Sequence, residues 1–143
     1  MGNRAVIQMK GSNAGFYVHW NGGRDSVLPF LDLMRNVGIK GRDCVDTPET
    51  LIAKLALMWK VIFDADLVVD NVARLDCDNY DNGVYLIDED FNIVGRKFYS
   101  GPEQDWYSYD ETIRGMNEDL PNRLRLTDKQ IGKLIEAHKE GKK

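Results

Sequence analysis

Phe16-Tyr17-Val18-His19-Trp20-Asn21-Gly22-Gly23-Arg24-Asp25-Ser26-Val27 is the stretch that decides how this chain folds. It reads as an apolar strand, a glycine turn and a helix start. Asp25 and Ser26 carry side chains suited to an N-cap. Val27, Leu28, Phe30, Leu31, Leu33 and Met34 follow at helical spacing. Two adjacent glycines ahead of a capping pair predict that Gly22 or Gly23 takes a positive φ. A turn that presents free backbone N–H groups beside an arginine has the chemistry to hold an anion. It is equally what any strand-to-helix corner requires.

Working outward from this run, Arg4–Lys10 reads as a strand with Ala5, Ile7 and Met9 on one side. The cluster Gly11-Ser12-Asn13-Ala14-Gly15 then turns the chain into a second strand, Phe16–Trp20, so the chain opens on a hairpin. The first helix is expected from about Ser26 to Asn36, with Pro29 in its first turn and Gly38 beyond its end. Thr47-Pro48-Glu49 starts a second helix, with a threonine cap and proline at the first helical position. Its residues Leu51, Ile52, Leu55, Leu57, Met58, Trp59, Ile62 and Phe63 are apolar nearly all round, which predicts a buried, central helix. A strand from about Leu67 to Leu75 leads into the turn-rich run Asp76-Cys77-Asp78-Asn79-Tyr80-Asp81-Asn82-Gly83. Val84–Ile87 and Ile93–Tyr99 flank Asp88-Glu89-Asp90-Phe91-Asn92 as a second hairpin. A helix is expected over Tyr109–Asp119. A last one starts at Thr127-Asp128-Lys129-Gln130 with a narrow apolar stripe of Ile131, Leu134 and Ile135. The order predicts an α+β fold. It forms one domain over residues 1–143, with a mostly antiparallel sheet, two central helices and a C-terminal surface helix.

The chain has 143 residues, of which 43% are hydrophobic, enough to fill one core. Its two cysteines, Cys44 and Cys77, lie far apart without a C-x-x-C context, which suits a reduced cytoplasm. The start lacks a signal-peptide core, and no apolar run approaches the roughly 20 residues that span a bilayer. Net charge is −4, unevenly spread: residues 64–111 hold thirteen acids and three bases, and the rest of the chain has an excess of bases. An acidic middle disfavours direct nucleic-acid binding there and favours a basic protein surface as partner.

Several motifs invite specific chemistry. Asn21–Ser26 is similar to the S-G-G-x-D-S loop of adenylating, pyrophosphate-releasing ATP enzymes, with Asn21 in place of the opening serine. The opening hairpin and the lack of successive βαβ units depart from the parallel sheet of those enzymes. Asp78 to Glu89 has the length of a calcium loop, but Tyr80 stands at its third ligand position and Val84–Ile87 reads as a strand. His19 and His138 are too far apart in sequence for a zinc pattern, and no catalytic pair stands out among acids that crowd every turn. Tyr99, Trp106, Tyr107 and Tyr109 cluster with Glu103, Asp105, Asp110 and Glu111, a composition suited to protein contact. Two residue sets follow. For a protein partner they are Asp76, Asp78, Asp81, Asp88, Glu89, Asp90, Trp106 and Tyr107. For a nucleotide or other anion they are Asn21, Gly22, Gly23, Arg24 and Ser26, with Arg96 as a second phosphate contact. No catalytic residue, metal ligand or cofactor is assigned.

Five blocks of the chain carry a resemblance. They are Gly2-Asn3-Arg4-Ala5-Val6-Ile7, His19-Trp20-Asn21-Gly22-Gly23-Arg24-Asp25-Ser26-Val27, Leu75-Asp76-Cys77-Asp78-Asn79-Tyr80-Asp81-Asn82-Gly83-Val84-Tyr85, Ile93-Val94-Gly95-Arg96 and Gly101-Pro102-Glu103-Gln104. In this order they resemble a family of short accessory proteins encoded in phages, prophages and their bacterial hosts. The resemblance spans about residues 2–104 and implies a mobile-element setting in the cytoplasm of a bacterial host. Small acidic proteins in that setting are often anti-defence factors, CRISPR inhibitors among them, whose partner would be a defence-system nuclease. The expected function is therefore a non-catalytic binding protein of anti-CRISPR type acting by protein–protein contact. The alternative is a nucleotide-binding or nucleotide-sequestering protein that uses the glycine turn.

Overall fold

The computed structural model describes residues 2–41 and 45–141; Cys44 lies outside them. Five strands form one sheet: β1 (Ala5–Met9), β2 (Ala14–Val18), β3 (Leu67–Asn71), β4 (Val84–Ile87) and β5 (Ile93–Lys97), in the order β3-β2-β1-β4-β5. Three of the four pairings are antiparallel, and β1–β4 is parallel. This is the α+β class expected from the order of elements. The helices are α1 (Arg24–Asn36), α2 (Pro48–Phe63), α3 (Tyr109–Glu118) and α4 (Asp128–Gly141).

The side-chain period of 2 along a strand sorts the sheet into two faces. Ala5, Ile7 and Met9 of β1 share one face with Phe16 and Val18 of β2 and with Tyr85 and Ile87 of β4. Helices α1 and α2 cover this face. Trp59 of α2 is fully buried, with its ring centroid 4.9 Å from Phe30 of α1 and 6.1 Å from Phe16. The Thr47 Oγ1 accepts the Thr50 amide at 3.2 Å and Pro48 opens the helix, as the Thr-Pro-Glu signature requires. Leu55, Met58, Trp59 and Ile62 are buried, but Leu57 and Val61 face solvent, so α2 is amphipathic rather than enclosed. In the third layer, α3 packs on α1 through the Tyr109 hydroxyl, which donates to Asp32 Oδ2 at 2.7 Å. His138 of α4 stacks on the Tyr109 ring at 3.8 Å. Thr127 and Gln130 exchange backbone-to-side-chain hydrogen bonds at 2.8 and 3.2 Å, a capping box at the start of α4.

The second face of the sheet is covered by a loop, not a helix. β3 ends at Asn71, where a 3-10 turn over Val72–Arg74 replaces the longer strand expected from the apolar residues up to Leu75. From there the chain crosses the sheet to reach the start of β4. Gly15 makes room for it, since a Cβ there would lie 2.7 Å from Val72 Cγ1. Val6, Gln8 and Val84 are buried beneath this crossing. Asn79 holds its end: the side-chain oxygen accepts the Asp81 and Gly83 amides, and Nδ2 donates to the Asp76 and Gly83 carbonyls. The strands that the parallel pair brings together therefore begin at one end of the sheet, with the end of β2, the start of β3 and the end of β5.

Candidate functional site

The Asn21–Ser26 turn sits at that end and joins β2 to α1. The left-handed residue is Asn21, with φ 65°, and neither glycine takes a positive φ. An asparagine side chain tolerates this region, which frees the glycines for another task. Gly22 donates its amide to Asn3 O at 2.8 Å and accepts the buried Tyr85 hydroxyl at 2.8 Å. A Cβ on Gly22 would stand 2.5 Å from Asn3 O. Gly22 is a glycine because the start of β1 passes directly over it. Gly23 is the N-cap, and the helix begins at Arg24, ahead of the expected Asp25 and Ser26 caps. Pro29 consequently lies in the second turn, not the first.

The two arginines of the anion set do converge, on a residue of this chain. Arg96 of β5 donates from Nη1 to both carboxylate oxygens of Glu103 and from Nη2 to Asn82 O at 2.7 Å. Its guanidinium lies between the rings of Tyr85 and Tyr99, at 3.8 and 4.0 Å. Arg24 approaches the same Glu103 at 3.6 Å and Asp105 at 3.8 Å. The Arg24 amide, first of α1, donates to Gln104 Oε1 at 2.8 Å. Segment 98–105 therefore crosses the helix start and supplies the anion and the acceptor that the turn would offer a ligand. Two guanidinium charges meet two carboxylates, which leaves no net positive field. The cavity that Arg24 does line, about 490 Å³, opens toward α4, among Leu28, Asp105, His138 and Gly141. Ser26 takes no part in this junction beyond donating its amide to Gly23 O.

The acids of the partner set fall at opposite ends of the sheet. Asp76, Asp78 and Asp81 lie on the crossing loop, beside the start of β1. Asp81 accepts the Arg4 Nε at 2.8 Å and the Arg4 amide at 3.0 Å, and these bonds hold its carboxyl below the ordinary value. Asp76 reaches Arg4 at 3.9 Å and is mostly exposed. Asp88, Glu89 and Asp90 form the β4–β5 turn at the far end. Desolvation works against the Asp88 charge, but hydrogen bonds from Asn92 and the Asp90 amide hold its carboxyl below the ordinary value. Phe91 plugs this turn at φ 64°, fully buried, and β5 begins at Ile93 as expected but ends at Lys97, short of Tyr99. Lys40 and Arg35 grip the turn through the Glu89, Asp90 and Phe91 carbonyls.

The aromatic residues sort as clearly. Trp106 is 101% exposed, whereas Tyr107 is half-buried and burial pushes its hydroxyl up to about 12. Tyr80 at 89%, Phe98 at 57% and Trp20 at 54% are also exposed. All four exposed rings stand on loops at the Asp76–Asp81 end. Trp20 follows β2, Tyr80 precedes β4, Phe98 follows β5, and Trp106 lies two residues past the Gln104 anchor. A cavity of about 550 Å³ runs along the loop-covered face from Asn13 and Asn71 toward this end, where Asp76, Asp78, Lys97 and Phe98 form its wall. Cys77 also lines it, with a thiol that burial pushes up and away from reactivity. Sequence reading took Trp20 and Phe98 as strand residues and Tyr80 as part of a polar turn. The positive φ of Tyr80 (64°) and Phe98 (55°), which turns the chain sharply at each ring, has no counterpart in composition.

Among the described residues, no group of three or more His, Cys, Asp or Glu side chains is placed to hold a metal, and no helix is long and apolar enough to cross a membrane. Compared with protein-family models, with curated proteins and with solved structures, the chain has no significant match in any of the three.

Proposed function

We propose that this chain is a non-catalytic binding protein whose working surface is the acidic, aromatic end of the sheet, and that its partner is a basic protein surface. The cavity walled by Asp76, Asp78, Lys97 and Phe98, with two carboxylates against one ammonium, carries this reading. Two carboxylates beside an exposed ring and an apolar floor suit the stem and head of an inserted lysine or arginine. Trp106, Tyr80 and Trp20, on loops at the same end of the sheet, add large contact area at low conformational cost. Asp88, Glu89 and Asp90 lie too far off to share one small footprint and serve their own hairpin. Together with the resemblance to phage and prophage accessory proteins, the surface suggests an anti-CRISPR-type inhibitor of a defence nuclease in the bacterial cytoplasm.

The test is to express the chain in bacteria with active CRISPR interference and plate a targeted phage. Wild type restores plating. Asp76→Lys with Asp78→Lys, or Trp106→Ala with Tyr80→Ala, abolishes the effect while the variants keep their folded circular dichroism. Glu89→Lys with Asp90→Lys retains it. Failure to restore plating against any interference type would remove the inhibitor reading. Retained activity in both end-surface variants would remove the surface. The convergence of Arg24 and Arg96 favours the second reading, a nucleotide-binding or nucleotide-sequestering protein. That reading requires a phosphate to displace Glu103, and predicts that Arg24→Ala alone removes binding of ATP or a cyclic nucleotide.

A further inference from the structure

The two edges of the sheet are treated differently. Edge strands expose unpaired N–H and C=O groups, and proteins commonly blunt them with charge, bulges or covering loops. The β5 edge has all three. Its pairing is irregular between Leu86 and Ile87, it carries Gly95, Arg96 and Lys97, and segment 98–105 folds back along its end. β3, Leu67–Asn71, has none of these over Leu67, Val68 and Val69. Val68 is 51% and Val69 50% exposed, on opposite faces of the strand.

The hydrogen-bonding direction follows from the ladder. The Val6 amide donates toward β4, to Gly83 O, so the odd residues of β1 bond to β2. The alternation then aims Gly15 and Tyr17 of β2 at Asp70 and Val68, and leaves the N–H and C=O of Leu67 and Val69 pointing outward. Val72 donating back to Asn13 O at 2.8 Å agrees with this phase. The outward amide of Asn71 is taken by Asp70 Oδ1 at 2.7 Å, and its carbonyl opens the 3-10 turn over Val72–Arg74.

We propose that this edge joins two copies of the chain, with the β3 strands antiparallel about a two-fold axis at Val69. The two Val69 residues exchange both of their bonds, and Leu67 lies opposite Asn71 of the second copy. Asp70 keeps its own Asn71 amide satisfied. Charge selects the antiparallel sense. The strand begins beside exposed Asp64 and Asp66, both near Lys60, and ends beside exposed Arg74, which reaches Asp70 through one guanidinium nitrogen and turns the rest of its head to solvent. Antiparallel pairing lays each acidic start along the Arg74 end of the other copy, twice by symmetry. The acidic excess at the strand start disfavours like-with-like parallel contact. The dimer leaves the acidic, aromatic loops free and stands or falls separately from the function proposed above.

Light scattering on a sizing column, with sedimentation equilibrium, tests this. The wild-type chain runs at twice its 16.3 kDa at tens of micromolar and dissociates on dilution. Val69→Lys, with unchanged circular dichroism, runs as a monomer. Should it misfold, Val68→Glu, which sets an acid opposite Asp70 of the second copy on the other face, gives the same reading. Asp66→Arg weakens the dimer roughly ten-fold, as two lost exposed ion pairs would, and adding Arg74→Asp restores it. A wild-type monomer up to millimolar concentration, or dimers that survive Val69→Lys or Val68→Glu, overturns the proposal. Dimers indifferent to the charge swap overturn the antiparallel register.

Discussion

Gly22→Ala should be far more damaging than Gly23→Ala, although the two residues are neighbours of the same type. A Cβ on Gly22 meets Asn3 O at 2.5 Å, Ala5 Cβ at 2.7 Å and the Arg4 carbonyl carbon at 2.8 Å. These are main chain or its first carbon, in the strand that forms the middle of the sheet, roughly 1 Å short of favourable contact. Relief requires β1 to shift, which costs about 1–3 kcal/mol as overpacking does. The shift also strains the Gly22–Asn3 and Tyr85–Gly22 hydrogen bonds, each worth about 0.5–1.5 kcal/mol net. The alanine reduces the freedom of the unfolded chain, which returns about 0.4–1 kcal/mol. The expected net loss for Gly22→Ala is about 2–3 kcal/mol. On Gly23 the same Cβ meets Asp25 Oδ1 and Gln104 Oε1, both at 2.6 Å. Both atoms end flexible side chains and can swing away. The lost Arg24–Gln104 bond is exposed, so Gly23→Ala should stay within about 1 kcal/mol of wild type. Urea unfolding followed by circular dichroism measures both, through the midpoint at constant slope. Equal losses, or a larger loss at Gly23, would refute the claim that close packing dictates this glycine pair. Intact stability with lost nucleotide binding in both variants would show that the pair serves a ligand.

Trp59→Ala removes a fully buried ring that contacts Phe16, Phe30 and Phe63, and should cost about 3–5 kcal/mol in the same assay; an unchanged melt would remove Trp59 from the core. Asp81 is held below its ordinary value chiefly by the Arg4 side chain. Its contribution is therefore present above the unfolded carboxyl value of 3.8 and is lost as pH falls through the lowered folded value. Thermal melts of Asp81→Asn should show a shallower loss of stability below about pH 4 than wild type. Glu103→Gln weakens the clamp on Arg24 and Arg96, so limited proteolysis should cut between residues 98 and 106 several-fold faster with little change in global unfolding; unchanged cutting would mean Gln104 and Tyr99 suffice to hold the segment.

Local chemistry made part of this fold legible. The Thr47-Pro48 start, the Thr127–Gln130 box and the Asp- and Asn-rich turns act within a few residues of themselves, so α2, α4 and both hairpins could be placed from composition and period alone. What was not legible depends on contacts far along the chain. β2 stops at Val18, short of the apolar Trp20, because the Asn3 amide takes His19 O and the chain then bends at Asn21. β3 yields to a 3-10 turn at Val72 because Asn71 caps it and the chain must cross the sheet. Arg24 and Gln104 are eighty residues apart, so no local signal could show that the glycine turn meets its anion within the same molecule. The acidic excess was visible as a number, but its division between two ends of the sheet follows from the strand order.

The parallel pairing of β1 with β4 has a consequence for how the molecule is made. β1 is the central strand, yet its second neighbour begins at Val84, nearly eighty residues later. During synthesis the opening hairpin can close as soon as Val18 emerges, and β3 can join it after α2. Through that interval the β4-facing edge of β1 is open, with the Val6 amide awaiting Gly83 O. Closing so long a loop carries an entropy cost that rises only slowly with length. The burden is instead one of time, since a central apolar edge stays uncovered while half the chain is still to come. Release of the nascent chain before residue 87 would leave that edge as the stickiest part of an otherwise well-ordered intermediate.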